Sequence, residues 1–289
     1  MKIAYMIQAH KNFEQIKFLV ESLLYKQNGI FIHIDKKNDK LYRKLKDYYI
    51  NNDNVNIIDN RVSVNWSGFS QIKATINLMK AIEKEDEIYD YISFISGQDY
   101  PIKSSEYIDE YLEKNKGKNF IEYDNIGRYE WRIKRYSIFT EFPNNRKIYI
   151  RVLDKVLRIC QNILPKRKNL KNMDLYIGSQ WFTIEYECMK YILKFIKLND
   201  GRYIKDFKYT ACPDEHFFQT IVMNSKYKVS VINNNLRYID WSEGNNSPKT
   251  LSIKDINQIL KSDKLIARKF DIDIDKEILQ TLTNIINKN

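Results

Sequence analysis

The sequence predicts an α/β fold, with a mostly parallel central sheet flanked by helices in a single domain. Strand-length apolar runs alternate with stretches whose apolar residues recur at helical spacing through the first hundred residues. This βαβα order implies parallel strands joined by crossover helices on the faces of one sheet. The 289 residues are 43% hydrophobic, and no internal repeat or low-complexity linker divides them.

The first hundred residues contain four predicted strands with helices between them. The strands are predicted at 3–8, 30–34, 55–58 and 89–95, and the helices at 13–25, 41–49 and 70–82. Ligands of such sheets bind beyond the carboxyl ends of the strands, near the point where the strand order reverses. Asp35 and Asp99 follow the second and fourth predicted strands, so we expect a binding site at that edge.

Residues 125–172 interrupt this pattern, because they are strongly basic and lack regular periodicity. We interpret them as an insertion that faces the substrate. Regular patterns return after it. Further strands are predicted at 177–182, 228–232 and 236–239, and helices at 186–196, 215–223, 253–260 and 275–286.

Charge and cysteine content narrow the classes of partner and compartment. The net charge of +11 favours anionic partners: nucleic acid, a phosphorylated sugar donor or an anionic membrane face. A lysine- and asparagine-rich coding bias explains the excess equally well. The three cysteines lack the spacing of a disulfide framework, which indicates a reducing compartment. No run of about 18 apolar residues and no signal-peptide pattern is present, so we expect a soluble protein with at most peripheral membrane contact.

A pair of carboxylates is the first candidate for catalytic chemistry. Asp214 and Glu215 follow Pro213, which presets the start of a helix. A carboxylate there can serve as a general base aimed into a cleft, although plain N-terminal capping explains the same residues.

A bound diphosphate would need positive charge from elsewhere in the chain. The sequence has only 8 glycines and no P-loop or G-x-G-x-x-G pattern, so a glycine-rich phosphate cradle is excluded. An Asp-x-Asp occurs at Asp271, Asp273 and Asp275, but its place near the end of the chain favours a solvated turn. No cysteine or histidine shows metal-ligand spacing, so no metal site is predicted. Arg268 and Lys269 are the candidate cations.

Nucleic-acid binding is the main rival from composition alone, since the chain is basic and has 21 tyrosines. No ribonucleoprotein-type aromatic motif is present, and the tyrosines fall mostly at core-like spacings. We therefore do not expect a nucleic-acid partner.

Eight short blocks, in order between about residues 3 and 275, resemble the core-2/I-branching β-1,6-N-acetylglucosaminyltransferase and peptide O-xylosyltransferase family. The blocks are IQAH at 7–10, IHIDKK at 32–37, VNWSGFSQ at 64–71, FISGQDYPIK at 94–103, GSQWF at 178–182, PDE at 213–215, LRYIDW at 236–241 and ARKFD at 267–271. The resemblance implies an inverting glycosyltransferase with a GT-A-like fold that needs no divalent metal or other cofactor. It also implies a nucleotide-sugar-binding half at 1–124, an acceptor-facing insertion at 125–172 and a catalytic half at 173–289 that ends in a diphosphate-binding segment.

The same resemblance implies roles for individual residues. Glu215 matches the catalytic base, Lys269 a cation that holds the diphosphate, and Lys249 is the best match for a second cation. The implied donor-binding residues are Gln8, Asp35, Lys36, Trp66, Ser67, Asp99, Lys249, Arg268 and Lys269. The implied acceptor-binding residues are Glu130, Arg132, Arg135, Trp181, Asp214, Tyr238 and Trp241.

The chain departs from animal members of the family in lacking a membrane anchor and many cysteines, so their location and acceptors do not carry over. We expect a cytoplasmic enzyme, with peripheral contact to the inner face of the membrane through its basic surface. It would transfer GlcNAc from UDP-GlcNAc to a glycan acceptor during synthesis of a surface polysaccharide or glycoconjugate. UDP-xylose is the alternative donor, and a non-catalytic glycan- or nucleic-acid-binding protein is the alternative of another class. The linkage, the acceptor and the oligomeric state are not predicted.

Overall fold

The computed structural model describes residues 1–142, 145, 147–163, 166–167, 170, 173–199 and 201–287. Its strands are β1 Ile3–Ala9, β2 Gly29–Ile34, β3 Val55–Ile57, β4 Tyr91–Ser96, β5 Asp99–Pro101, β6 Asn119–Ile121, β7 Asp124–Asn125, β8 Tyr176–Ile177, β9 Phe182–Glu185, β10 Val231–Ile232, β11 Arg237–Ile239 and β12 Ile266–Arg268. Its α-helices are α1 Phe13–Leu23, α2 Asp39–Tyr48, α3 Ser70–Glu83, α4 Ser105–Lys114, α5 Trp131–Lys134, α6 Ile148–Cys160, α7 Tyr186–Leu198, α8 Arg202–Phe207, α9 Phe217–Met223, α10 Ile256–Lys261 and α11 Glu277–Ile286.

The central sheet confirms the predicted fold class. Within the described residues it has seven strands in the order β10-β6-β9-β4-β1-β2-β3. Strands β3, β2, β1 and β4 run parallel, as predicted, whereas β9 is antiparallel to both β4 and β6. A smaller sheet, β11-β12-β5, lies beside it and joins the last part of the chain to the strand at Asp99–Pro101.

Two apolar layers cover the central sheet, because successive side chains of β1 point to opposite faces. Tyr5 and Ile7 belong to one layer, with α1, α2 and α11, and Ala4 and Met6 belong to the other, with α3, α7 and α9. Burial on both faces explains why the predicted strands appear as continuous apolar runs. The layers draw on residues from both ends of the sequence, including Ile3 and Ile286.

Several predicted elements of the second half are wrong in extent. The strand predicted at 177–182 is two short strands, β8 and β9, separated by residues 178–181. At 228–232 only Val231–Ile232 pair, because Lys226–Ser230 form a 3-10 turn. The helix predicted from residue 215 begins at Phe217, after a 3-10 turn at Pro213–Glu215.

The basic segment 125–172 contains regular structure that the sequence analysis did not predict, namely α5 and α6. Residues 143–144, 146, 164–165, 168–169 and 171–172 of that segment lie outside the described residues. In the described part of the chain, no helix combines the length and apolar character required to cross a bilayer.

Candidate active site

A cleft of about 1250 Å³ opens at the carboxyl ends of β1, β2 and β4. Its floor includes Gln8 and Ala9 of β1, Asp35 after β2, and Ser96 of β4. The chain passes from β3 back across β1 to β4, so the strand order reverses between β1 and β4. The cleft therefore lies at the edge of the sheet that the sequence analysis expected to bind a ligand.

The cleft brings together ten of the seventeen predicted site residues. Those that line it are Gln8, Asp35, Trp66, Ser67, Trp181, Asp214, Glu215, Trp241, Arg268 and Lys269. The seven that do not line it are Lys36, Asp99, Lys249, Glu130, Arg132, Arg135 and Tyr238.

Glu215 is held at the cleft by its own turn and by the break between β8 and β9. The turn Pro213–Glu215 follows Cys212, whose φ of 47° is left-handed. The N–H of Gly178 donates to the carbonyl of Glu215 at 2.8 Å. The side chain of Glu215 is 37% exposed, and its Oε2 forms an ion pair with Arg132. The carboxylate is thus fixed in direction while part of it still reaches the cleft.

Arg132 was predicted to contact the acceptor, but the structure places it against Glu215 instead. Burial alone would lower the pKa of Arg132, but the adjacent Glu215 carboxylate raises that pKa overall. Its guanidinium also lies over the ring of Tyr129, with 4.7 Å from Cζ to the centroid. The permanently charged guanidinium therefore holds the Glu215 side chain in place by a charge-assisted contact.

Asp214 has a different environment from its neighbour. Its side chain is buried, Oδ2 accepts from Nε2 of Gln71 at 3.4 Å, and Oδ1 has no hydrogen-bond partner among the described residues. Burial, followed by the negative charge of Glu215, raises the pKa of Asp214 to about 7. The two adjacent carboxyl groups therefore lie in different environments: that of Asp214 is buried, and that of Glu215 is partly exposed and paired with Arg132.

Arg268 forms a cationic wall of the cleft. Its guanidinium Cζ lies 4.1 Å from the centroid of the Trp181 ring, and its Nε lies 3.5 Å from Oδ1 of Asp99. Nε and Nη1 have no hydrogen-bond partner within the described residues, and burial lowers the pKa of Arg268. Lys269 lines the cleft beside it. Nε and Nη1 of Arg268 are both buried, so the wall offers an anion the positive charge of Arg268 and Lys269 rather than these two N–H groups.

Three predicted donor-site residues lie behind or outside the cleft wall. Asp99 is fully buried and contacts Arg268, so it supports the cation and does not face the cleft. Lys249 pairs with Asp255, with 2.6 Å from Nζ to Oδ1, and therefore points away from the cleft. Lys36 is exposed, and its neighbour Lys37 lines the cleft in its place.

Three predicted acceptor residues are engaged elsewhere. Glu130 pairs with Lys166 at 3.3 Å, and Arg135 donates to the carbonyl of Arg158 at 3.4 Å. The hydroxyl of Tyr238 donates to Gln258 at 3.4 Å. On the short helix α5 and its flanks, neighbouring side chains point in different directions, so only Arg132 of that block reaches the carboxylate.

The sequence analysis missed other residues that shape the cleft. They include His10, His33, Lys37, Glu122, Asn233, Asn234, Asn235, Arg237 and Lys264. Arg237 is the best defined of these, because its Nη2 donates to the hydroxyl of Ser93 and to the carbonyls of Phe94 and Phe182. Arg237 lies within the block LRYIDW at 236–241, but from that block only Tyr238 and Trp241 were named as site residues.

The described residues contain no group of three or more His, Cys, Asp or Glu side chains that could hold a metal ion. The aspartates of the Asp-x-Asp pattern have structural partners: Asp271 pairs with Lys11 at 2.6 Å, and Asp275 accepts from the backbone N–H groups of Ile253 and Ile278. They cap turns near the end of the chain.

Comparison with known proteins identifies a family whose model matches most of this chain. The family model described as "Branch: Core-2/I-Branching enzyme" matches residues 3–261, which include Glu215 and end before Arg268. Xylosyltransferase 2 of Rattus norvegicus is 25% identical over 303 residues, covering 98% of this chain and 33% of that protein. Xylosyltransferase 1 of Rattus norvegicus is 23% identical over 310 residues, covering 100% of this chain and 36% of that protein. The chain thus spans about a third of the length of the curated relatives it matches.

Among solved structures, the chain is similar to 4-diphosphocytidyl-2C-methyl-D-erythritol synthase from Anaerococcus prevotii. The sequence identity is 11%, the TM-score is 0.39, and the match covers 89% of this chain and 94% of that one.

Proposed function

The chain belongs to the core-2/I-branching enzyme family of glycosyltransferases, and we propose that it transfers a sugar from a UDP-sugar to a glycan hydroxyl with inversion. One observation supports this proposal above the others: Glu215 and the cations Arg268 and Lys269 line the same cleft. A base and a leaving-group site facing one cavity are what a single displacement requires.

In the proposed reaction the acceptor oxygen attacks C1 of the donor sugar from the face opposite UDP. The bond from the acceptor oxygen to C1 forms as the bond from C1 to the diphosphate oxygen breaks. Glu215 accepts the hydroxyl proton, and UDP leaves with the electron pair. Arg132 contacts Oε2 of Glu215, so we assign proton acceptance to Oε1.

Arg268 and Lys269 would stabilise the charge that develops on the leaving diphosphate, without a divalent metal. Such stabilisation is stronger in a water-poor cleft, since the groups are already oriented before the reaction begins. Asp99 fixes Arg268 from behind, at 3.5 Å, and Trp181 supports its face. We assign the positive charge of Arg268 and Lys269, at the wall of the cleft, to the binding of the phosphate oxygens.

The donor sugar is open between two candidates. The sequence analysis expected UDP-GlcNAc, whereas the curated relatives named above are xylosyltransferases, which favours UDP-xylose as the first donor to test. Release of UDP, measured with a panel of UDP-sugars in the presence of EDTA, distinguishes the two donors. Loss of activity on chelation would contradict the metal-independent mechanism.

Replacing the proposed base tests the mechanism directly. Glu215→Gln should lower kcat by at least about a hundredfold and leave UDP affinity within about twofold, as expected when a general base is removed. Glu187→Gln, at an exposed position on α7, is the matched control and should retain full activity. Near-normal turnover of Glu215→Gln would remove this residue from the mechanism.

We also propose that the enzyme acts in the cytoplasm and has no nucleic-acid partner. The three cysteines, all within the described residues, carry free thiols, which fits a reducing compartment. Cell fractionation with an antibody to the chain tests the location, and recovery outside the cytoplasm would contradict it.

A further inference from the structure

Helix α6 exposes its apolar side. All residues of this helix, Ile148–Cys160, are described, and none is buried. At 100° per residue, the exposed apolar residues fall within one face about 140° wide. That face consists of Ile148 (79% exposed), Tyr149 (54%), Val152 (53%), Leu153 (50%), Val156 (51%) and Ile159 (57%). We call these six residues the α6 apolar face.

The side of α6 that faces the rest of the chain carries its partly buried residues, which are Ile150, Asp154, Leu157 and Arg158. Arg158 pairs with Asp154 at 3.1 Å and lies over the ring of Trp131, with 4.7 Å from Cζ to the centroid. Just beyond the helix, the side chain of Gln161 exchanges hydrogen bonds of 2.7 and 2.9 Å with the backbone of Tyr136. The six residues of the α6 apolar face remain outside this contact, whereas an ordinary surface helix turns its apolar side to the core.

The apolar area is too large to be incidental. Six side chains that are half-exposed or more leave on the order of several hundred Å² of apolar surface on one helix, a size that marks a binding surface in soluble proteins. Ile163, just after the helix, is 88% exposed and continues the same side.

The charged residues around the α6 apolar face indicate which kind of partner it binds. Lys147, Arg151 and Lys155 are exposed along the helix, and its one acidic residue, Asp154, is neutralised by Arg158. A second copy of the chain would bring the same positive charge against it, which opposes self-association. An apolar face flanked by Lys and Arg is instead the pattern that binds the interface of an anionic bilayer.

The helix also begins at the cleft. Lys147, directly before α6, lines the cleft, as does Asn145, which donates to the carbonyl of Trp66 at 2.7 Å. We propose that α6 is an interfacial helix that seats the chain on an anionic lipid surface through its apolar face. The rim of the cleft then lies beside the lipid headgroups. This position indicates that the acceptor is a glycan carried on a membrane lipid, an inference that rests on the proposed function.

Vesicle flotation tests the surface independently of activity. The wild-type chain should float with vesicles of phosphatidylcholine and phosphatidylglycerol and bind those of phosphatidylcholine alone more weakly. Leu153→Glu should reduce binding at least about tenfold, because it places a charge in the apolar contact. Val229→Glu is the matched control: Val229 is 90% exposed, lies outside the α6 apolar face, and should bind like wild type.

A second pair of variants tests the charge. Lys155→Glu should weaken binding to the anionic vesicles by several-fold, whereas Lys80→Glu, an exposed lysine on α3, should not. Leu153→Glu should keep the wild-type rate of UDP release with a soluble acceptor, which also shows that it is folded.

Unchanged flotation of folded Leu153→Glu would overturn the proposal. So would a wild-type chain that binds no vesicles and sediments as a dimer that Leu153→Glu converts to monomers. Vesicle binding by a chain that releases no UDP from any donor would support the membrane surface and contradict the proposed activity.

Discussion

Asp214 and Glu215 are adjacent in the sequence, yet the fold gives their carboxyl groups opposite environments. Glu215 is partly exposed and paired with Arg132, whereas Asp214 is buried beside it. Because like charges this close disfavour double ionisation, the buried group retains its proton more readily. We infer that Asp214 keeps local negative charge low so that Glu215 alone acts as the base.

This difference predicts a pH-dependent contribution to stability. The folded pKa of Asp214, about 7, lies above its ordinary value of 3.8, so the folded state binds an extra proton between these two pH values. The stabilisation of the folded state by this proton is fully present below about pH 4 and is lost as the pH rises through about 7. Asp214→Asn removes this pH-dependent contribution. The difference in the free energy of unfolding, variant minus wild type, should therefore rise by on the order of 1 kcal/mol or more between pH 5 and pH 8. Urea unfolding at both pH values measures this, and parallel behaviour of the two proteins would contradict it.

The two candidate phosphate cations make contrasting predictions at the residue scale. Lys269 lines the cleft, whereas Lys249 pairs with Asp255. Lys269→Ala should weaken UDP binding about tenfold or more, since a charge-assisted hydrogen bond is lost. Lys249→Ala should leave UDP affinity nearly unchanged. Calorimetric titration with UDP compares them, and the reverse order of effects would restore Lys249 as the phosphate ligand.

At the element scale, the break between β8 and β9 decides where the base lies. Residues Gly178 to Trp181 leave the strand path and line the cleft, and Gly178 binds the carbonyl of Glu215. A Cβ at Gly178 would lie 1.8 Å from the carbonyl oxygen of Glu122, which no side chain tolerates without movement of the backbone. The break therefore requires glycine at this position.

Gly178→Ala should destabilise the fold by about 1–3 kcal/mol and lower kcat, because the backbone that holds Glu215 must shift. Gly117→Ala is the control: a Cβ there meets nothing within 4 Å, and only the left-handed φ of 87° opposes it. That substitution should lower the free energy of unfolding by about 1 kcal/mol and leave kcat unchanged. Equal activity of the two variants would show that the break does not position the base.

Element length alone did not decide which elements could be predicted. The predicted helix at 13–25 is α1 at Phe13–Leu23, since its apolar spacing extends over several turns. The three-residue strands β3 and β11 were predicted at 55–58 and 236–239, whereas β5 and β12, of the same length, and the longer helices α4 and α6 were not. The turn at Pro213–Glu215 was taken for the start of a helix, because Pro followed by acidic residues occurs in both.

At the scale of the whole molecule, Arg237 joins the smaller sheet to the central one. From β11 its guanidinium donates to Thr183 of β9 at 2.8 Å, and to Ser93 and Phe94 of β4 at 3.0 and 2.9 Å. Burial lowers its pKa to about 10, and this leaves it charged at neutral pH. The smaller sheet carries the cationic wall, so this buried arginine sets where that wall lies.

Arg237→Met should reduce the free energy of unfolding by about 3–5 kcal/mol, because the hydroxyls and carbonyls it contacts lose their donor inside the core. Arg202→Met, at an exposed position on α8, should change it by less than about 0.5 kcal/mol. Urea denaturation measures both. A small effect at Arg237 would mean that the sheets are held together mainly by apolar packing.

The sequence predicted which blocks of residues line the cleft better than it predicted which side chains contact one another there. Glu215, Asp35 and Arg268 were named from their blocks, and all line the cleft. The pairing of Arg132 with Glu215 was not foreseen, because it joins residues 83 positions apart through packing that no local pattern encodes. The pairing of Lys249 with Asp255 was not foreseen for the same reason, since only the fold shows its carboxylate partners.

The position of β12 has a consequence for biosynthesis. This strand, Ile266–Arg268, pairs with β11 and with β5, and it follows Glu215 in the chain. During translation the carboxylate therefore emerges from the ribosome before the groups assigned to the leaving nucleotide. A nascent polypeptide at that stage lacks β12, so neither the smaller sheet nor the cationic wall of the cleft can yet have formed.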